Sequence, residues 1–273
     1  MARPRGSGSP ILACGECPLK GHRGSAYRPR KSRNSPANSR RDVTDNRVGF
    51  LESGGVIAIL CLPSADALLP AAEALREGGV TAIEVTPNTP SALEALRRAR
   101  VQFGHDLLPG VGSILTVEAA HDAIRAGAAF VAAPNLNPEV IQVCRKAGVP
   151  VIPGAFTATE ILQAWDLGVS LVKVFPAGLA GAGYIREILF SLPSLRLMAA
   201  GGISLANAGE FIRAGAVVVG VGDQIASRDM LERREFSEVT RRARAFAEAF
   251  RQAREQATRR GQPVRPIEGP DTR

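Results

Sequence analysis

Lysine is almost missing from this 273-residue chain: of its 34 basic residues only four are Lys, at positions 20, 31, 146 and 173. Cysteine is scarce as well. The four cysteines, at 14, 17, 61 and 144, are too few for the disulfide framework of a small secreted domain, so a reducing compartment is expected. Cys14, Cys17 and His22 lack the second ligand pair that a zinc site needs, so no metal is expected. Long apolar runs are missing too; the stretch Ala214 to Val221, interrupted by glycine, falls far short of the ~20 residues of a membrane span. What is plentiful is short apolar segments. An apolar content of 45% excludes full disorder and is ample for a packed core.

The folded body also has no excess of positive charge, although the whole chain carries +8. Residues 1–41 carry +9, residues 42–231 carry −5 and residues 232–273 carry +4. A nucleic-acid-binding domain needs its basic patch on the folded body, so no nucleic-acid partner and no membrane partner is expected. Residues 1–46, rich in Arg, Ser, Pro and Gly with no apolar periodicity, read as a disordered basic extension. Ile11-Leu12-Ala13-Cys14 is too short for the apolar core of a secretory signal. The extension reads first as an upstream start in an Arg-rich gene, which goes with a cytoplasmic protein. The other readings are an organellar transit peptide, plastid or otherwise, and a basic tail for an acidic surface. At the other end Val239, Ala243, Phe246 and Phe250 form one stripe of an amphipathic helix expected from about Asp229 to Arg259. Residues 261–273, with three prolines, read as a loose tail.

Between these ends, over residues 47–260, apolar runs begin near Val56, Val80, Leu107, Ala128, Val149, Val169, Leu195 and Ala216. Each is short and apolar at nearly every position, as strands buried on both faces are. Helix-ending Gly residues precede several of them, at 79, 127, 148, 168 and 215, and amphipathic stretches such as Ala65 to Glu77 and Thr159 to Leu167 separate them. Eight βα units at a steady interval predict a single-domain α/β protein, a (β/α)₈ TIM barrel. A doubly wound open sheet is the alternative, and no Gly-x-Gly-x-x-Gly follows the first strand.

A barrel carries its chemistry where strands end. The second run places Glu84 inside Ile83-Glu84-Val85-Thr86, and the sixth places Lys173 inside Leu171-Val172-Lys173-Val174-Phe175. Buried charge is costly, so such residues are paired, hydrated or functional. One reading is a salt bridge that fills a layer of the barrel. The other is catalytic: a desolvated amine can give up its proton and attack a carbonyl to form an imine, which guanidinium cannot do, and a nearby carboxylate can move the protons. The turns after runs seven and eight, Ala200-Gly201-Gly202-Ile203 and Gly220-Val221-Gly222-Asp223, suit a phosphate on backbone N–H groups, although tight βα turns need glycine in any case.

These residues, together with Gly110-Val111-Gly112-Ser113-Ile114-Leu115-Thr116, Pro153-Gly154, Thr157-Ala158-Thr159-Glu160 and Lys173-Val174-Phe175-Pro176, resemble the 2-keto-3-deoxy-6-phosphogluconate (KDPG)/4-hydroxy-2-oxoglutarate aldolases from about Val48 to Phe250. The resemblance implies a homotrimeric class I aldehyde-lyase of carbohydrate metabolism, free of metal and cofactor. Its small-molecule 2-oxo-4-hydroxy acid would be split into pyruvate and an aldehyde. It implies that Lys173 forms the imine and Glu84 is the acid/base. Phe175 and Pro134 would shape the pocket, Ser113 would contact the pyruvate carboxylate, and Gly201 and Gly202 would hold the distal end, with Gly222 and Asp223 in the neighbouring turn. The chain departs from the family where an Arg is usual, carrying Cys61 at the end of strand one and Asn88 four residues after Glu84. Asn88, Pro134-Asn135 and the Thr157 run resemble the 6-phosphogalactonate branch. Asp223, where a Ser is usual, costs Coulomb energy beside a phosphate. The other readings are a barrel enzyme for another sugar phosphate, such as an epimerase, and a catalytically weak paralogue serving as a trimeric binding unit. Cys61 itself has no His placed to activate it and is expected to be a small buried residue.

Overall fold

The computed structural model describes residues 38–259. The Cys14, Cys17 and His22 group, most of the expected extension and the tail at 261–273 lie outside the described residues. Nine strands form one parallel sheet: β1 (Val56–Leu60), β2 (Ala82–Val85), β3 (Leu108–Val111), β4 (Val131–Ala132), β5 (Val151–Ile152), β6 (Gly154–Ala155), β7 (Val172–Val174), β8 (Leu197–Ala200) and β9 (Val218–Val221). Their order is β5-β4-β3-β2-β1-β9-β8-β7-β6, with every pairing parallel. The two strands at the ends of that order are halves of one run. Pro153 stands between them and has no N–H to donate, while its carbonyl accepts from Lys173 N at 2.9 Å. The ring of strands therefore closes through Pro153, and the nine segments make eight βα units of a TIM-like barrel.

The helices are α1 (Asn38–Gly54), α2 (Leu68–Glu77), α3 (Ala92–Phe103), α4 (Val117–Arg125), α5 (Pro138–Ala147), α6 (Ala158–Asp166), α7 (Ala177–Ser191), α8 (Ala208–Arg213), α9 (Asp223–Ala226), α10 (Arg228–Glu232) and α11 (Phe236–Arg259). Two boundaries differ from the sequence reading. α1 begins nine residues before the expected start of the barrel domain at 47, so the end of the supposed extension is helical. Its anchoring residues, Val48 and Leu51, lie beyond position 46 and are fully buried against the barrel interior. The first 46 residues by themselves thus show no stripe. The long terminal helix does not start near Asp229. Ser227 caps a separate short helix by accepting from Met230 N, and Arg234 takes a left-handed φ of 58° that breaks the chain before Phe236.

Strand alternation sorts the apolar residues into two layers. Val56, Ala58, Leu60, Ile83, Val85, Val111, Val172, Val174, Leu197, Ala199, Val219 and Val221 face the helices. Ile57, Ala82, Leu108, Phe130, Ala132, Ile152, Met198, Ala200 and Val218 fill the barrel, and α1 closes its floor with Val48 and Leu51. Arg47 Nη1 donates to the Ala129 carbonyl at 3.3 Å and Thr44 Oγ1 to that of Gly148 at 3.2 Å, which ties α1 across the starts of the fourth and fifth units. Phe130 requires Gly110 opposite it, since a Cβ there would lie 2.5 Å from the Phe130 ring. Large-against-small packing of this kind keeps the interior solid, so the chemistry is confined to the end where the strands finish.

Candidate active site

Glu84 and Lys173 are the two charged side chains that alternation turns into the barrel. On β2, Ile83 and Val85 face outward and Glu84 inward; on β7, Val172 and Val174 face outward and Lys173 inward. The two residues, 89 apart in sequence, meet with Nζ to Oε1 at 3.4 Å. Both are buried, at 2% exposure for Glu84 and 4% for Lys173. Lys173 Nζ also lies 5.5 Å from the centroid of the Phe175 ring, within cation–π range. The second oxygen, Glu84 Oε2, is buried and has no hydrogen-bond partner among the described residues.

Stability gives a poor account of this pair. Replacing a buried ion pair by apolar residues of similar volume is often neutral or stabilising by about 1–4 kcal/mol, because desolvation offsets the Coulomb attraction. A layer of leucine or methionine would fill the space at no loss. One contact at 3.4 Å and one unpartnered carboxylate oxygen make the offset worse. The arrangement is instead suited to passing a proton between an amine and a carboxylate, with an acceptor left over for a third group.

Glycine at 112 is what lets Glu84 stand where it does. A Cβ on Gly112 would lie 1.9 Å from Glu84 Oε1 and 2.5 Å from Cδ, and its φ is not positive, so alanine would strain the site through Glu84 alone. Gly112→Ala is expected to push the carboxylate away from Lys173 and lower kcat by roughly 10-fold or more, with stability loss held to about 1–3 kcal/mol. Steady-state kinetics beside urea denaturation checks this. Full activity in the variant would show that the close approach is unimportant.

The other sequence-predicted residues surround the same end of the barrel, each just beyond a strand. Ser113 follows β3, with a left-handed φ of 53° and its side chain exposed; Pro134 follows β4 and is half-buried; Phe175 follows β7 directly. Gly201 and Gly202 follow β8 with φ of 81° and 74°. The Gly201 carbonyl accepts from Gly178 N at 2.8 Å, and a Cβ on Gly201 would lie 2.9 Å from the Phe175 ring, so this turn is packed against the aromatic beside Lys173. Asn207 braces it by donating from Nδ2 to the Gly202 carbonyl at 2.9 Å and accepting from Ser204 N at 2.8 Å. Gly222 follows β9 and precedes Asp223, the exposed first residue of α9. Asn88 is exposed on the loop after β2. The structure thus joins Glu84 and Lys173 directly and sets Phe175 beside Lys173. Ser113, Asn88 and Asp223 stand on the rim and form no hydrogen bond with either.

Several features were not assigned from the sequence. Thr157 and Glu160 form a capping box on α6: Thr157 Oγ1 accepts from Glu160 N, and Glu160 Oε2 accepts from Phe156 N at 2.9 Å and Thr157 N at 2.8 Å. Those backbone donors, with the Thr157 hydroxyl, hold the Glu160 carboxyl below its ordinary range. The Thr-x-x-Glu spacing was the signal available for it. Thr89 is buried because its hydroxyl accepts from Leu62 N at 3.0 Å, which joins the loops after β1 and β2. Cys61 is half-buried rather than buried, being the first residue past β1 at the open end. Cys144, in contrast, lies on the buried face of α5, and burial pushes its thiol up to about 12. Among the described residues no three His, Cys, Asp or Glu side chains cluster as metal ligands, and no helix is long and apolar enough to cross a membrane.

With this geometry in place, likeness to known proteins is informative. The family model for KDPG and KHG aldolase matches residues 49–242. The 2-dehydro-3-deoxy-phosphogluconate aldolase of Treponema pallidum is 38% identical over 191 residues, covering 70% of this chain and 90% of that protein. The 2-dehydro-3-deoxy-6-phosphogalactonate aldolase of Escherichia coli is 31% identical over 200 residues, covering 72% of this chain and 95% of that protein. Among solved structures, the KDPG aldolase of Legionella pneumophila, with pyruvate captured at low pH as a covalent carbinolamine intermediate, superposes with a TM-score of 0.69. It shares 29% identity over 72% of this chain and 97% of that one.

Proposed function

Because the chain belongs to the KDPG and KHG aldolase family and is therefore a carbon–carbon lyase, we propose that it splits a 2-oxo-4-hydroxy acid, such as KDPG or 4-hydroxy-2-oxoglutarate, into pyruvate and an aldehyde through an imine on Lys173. The observation that carries this reading is the buried amine 3.4 Å from a carboxylate whose other oxygen is unpartnered. The carbinolamine in the Legionella protein supports the same chemistry here.

Glu84 takes a proton from the Lys173 ammonium, and the free amine attacks the C2 carbonyl. Glu84 returns that proton to the carbinolamine hydroxyl, which leaves as water, so that a protonated imine forms and Glu84 is again a carboxylate. Glu84 then accepts the proton of the C4 hydroxyl as the C3–C4 bond breaks. The bonding pair moves onto the imine, giving an enamine, and the aldehyde departs. The carboxylic acid returns its proton to C3, and water hydrolyses the imine to release pyruvate and the amine. Oε2 is the acceptor available to the C4 hydroxyl while Oε1 serves Lys173. Phe175 and Pro134 would bound the reacting carbons, and Ser113 would meet the carboxylate of the pyruvate half, with Asn88 on the neighbouring loop. The Gly201-Gly202 turn and Gly222 offer backbone N–H groups to the far end of the substrate, where Asp223 disfavours a phosphate.

Treating the protein with pyruvate and borohydride tests the reading. A reduced pyruvyl adduct located on Lys173 by peptide mass spectrometry is expected; no adduct, under conditions that label another imine-forming aldolase, would refute it. The protein is proposed to act as a homotrimer, and sedimentation equilibrium should return three times the chain mass. The barrel domain, read from the sequence as 47–260, extends forward to include α1, which closes its floor.

A further inference from the structure

The strands lead at the mouth of the barrel into segments without cations. Residues 61–67, 86–91, 112–116, 133–137, 156–157, 175–176, 201–207 and 222, which join each strand to the helix after it, include no Lys, Arg or His. They hold one acid, Asp66, which is exposed and pairs with Arg98 at 3.0 Å. Their other polar side chains are hydroxyls and amides. Several of these are engaged within the protein: Thr116, Asn137 and Thr157 cap helices, and Asn207 braces the Gly201-Gly202 turn. Asn88, Ser113 and Asn135 are exposed, and their side chains form no hydrogen bond among the described residues.

The helices that follow add charge of one sign. The first turns of α3, α4, α5, α6, α8 and α9 each carry a carboxylate and no cation. On the longer helices the dipole accounts for this. α9 has four residues, so its dipole asks little of Asp223. The Asp223 side chain is exposed and forms no hydrogen bond or ion pair among the described residues. The nearest cation along the chain, Arg228, is paired with Glu232 at 2.9 Å. β9 pairs with β8, Ala200 opposite Gly220, so the Gly222-Asp223 and Gly201-Gly202 turns leave neighbouring strands side by side. On its other side β9 pairs with β1, which continues into the uncharged run Cys61-Leu62-Pro63-Ser64. The glycine turns offer N–H donors, and the aspartate beside them offers acceptors alone. A phosphate or a carboxylate has no proton for Asp223 and is repelled by it. A hydroxyl suits both, since it accepts from an N–H and donates to a carboxylate at once.

We propose that the protein selects 2-oxo-4-hydroxy acids whose aldehyde half is an uncharged, hydroxyl-bearing chain, with Asp223 as the specificity-determining residue that accepts the terminal hydroxyls and rejects an anion there. The assignment rests on the aldolase reading given above and narrows its substrate class. A substrate anchored at C2 in the buried layer must extend outward, and in the β8–β9–β1 quarter it meets N–H donors and one carboxylate. The choice between tails then comes from a matched hydrogen bond on one side and a repelled charge on the other.

Three acids separate the outcomes: 2-oxo-3-deoxygluconate with a hydroxylated tail, KDPG with a phosphate on the same carbon skeleton, and 4-hydroxy-2-oxoglutarate with a carboxylate. Wild-type kcat/KM should be roughly 10-fold or more higher for the first than for either of the others, the scale of one charge-assisted hydrogen bond. Asp223→Asn keeps the shape and removes the charge. In that variant the ratio of kcat/KM for KDPG to kcat/KM for 2-oxo-3-deoxygluconate should rise roughly 10-fold, and any loss of folded protein cancels in the ratio. Added salt should raise the same ratio more in the wild type than in Asp223→Asn, since the wild type sets two negative charges together. Equal or better cleavage of either anionic-tailed acid by the wild type, or a ratio that the substitution leaves unchanged, would overturn the assignment and leave the imine chemistry standing. Failure to cleave all three acids, with no pyruvate adduct on Lys173, would instead remove the aldolase reading itself.

Discussion

Arginine in place of Lys173 is expected to lower kcat by roughly 10⁴-fold or more, on the scale of removing a covalent nucleophile, and to abolish the borohydride-stable pyruvate adduct. The substitution is a strict test because it preserves the positive charge. Lys173 lies between Val172 and Val174 with its amine against Glu84, so an uncharged replacement would leave a buried carboxylate without a partner, which costs about 3–5 kcal/mol and confuses loss of chemistry with loss of fold. Guanidinium keeps the ion pair but stays protonated, so it cannot form an imine. Circular dichroism and urea unfolding beside the kinetics would separate the two effects. Substantial turnover by a folded Lys173→Arg protein would mean that Lys173 is the structural half of a salt bridge.

Glu84→Gln is expected to have the second largest effect, a fall in kcat of about 10²–10⁴-fold, the range for removing a general acid–base group. Glutamine matches the shape of glutamate, so the clearance provided by Gly112 is not disturbed. What it lacks is the capacity to take the ammonium proton and to shuttle protons between C4 oxygen and C3. Imine formation is slowed as well, so the pyruvate adduct should appear more slowly than in the wild type but still on Lys173. Stability should also fall, since the Lys173 ammonium loses its one carboxylate partner among the described residues. A kcat within about 3-fold of wild type would assign the proton transfers to some other group or to water. Gly112→Ala and Glu84→Gln act on the same carboxylate, so their combined effect should be well short of the product of the two.

The repeat of apolar runs was legible because a strand buried on both faces has to be apolar throughout, and the helix-ending glycines separated one unit from the next. Glu84 and Lys173 could be found for the same reason: a charge is conspicuous within such a run. The boundaries were less legible. The division of the fifth run at Pro153 follows from a missing donor, but the same proline supplies a carbonyl to β7, so the barrel closes through it. The start of α1 was invisible because its burial depends on contact with the barrel floor, not on a pattern within residues 38–46. Likewise Ser227 and Arg234 end one helix and delay the next through backbone geometry, although the apolar stripe of α11 was already apparent.

The sequence by itself determined the eight-unit barrel and singled out a lone lysine and a lone glutamate, because periodicity and the cost of burying charge are local properties. Only the tertiary structure decided that the two side chains face one another and that Gly112 leaves space for the carboxylate. Those relations join residues from different strands of a closed ring, far apart in the chain. They depend on strand register and on the closure of the ring, and no stretch of sequence contains either.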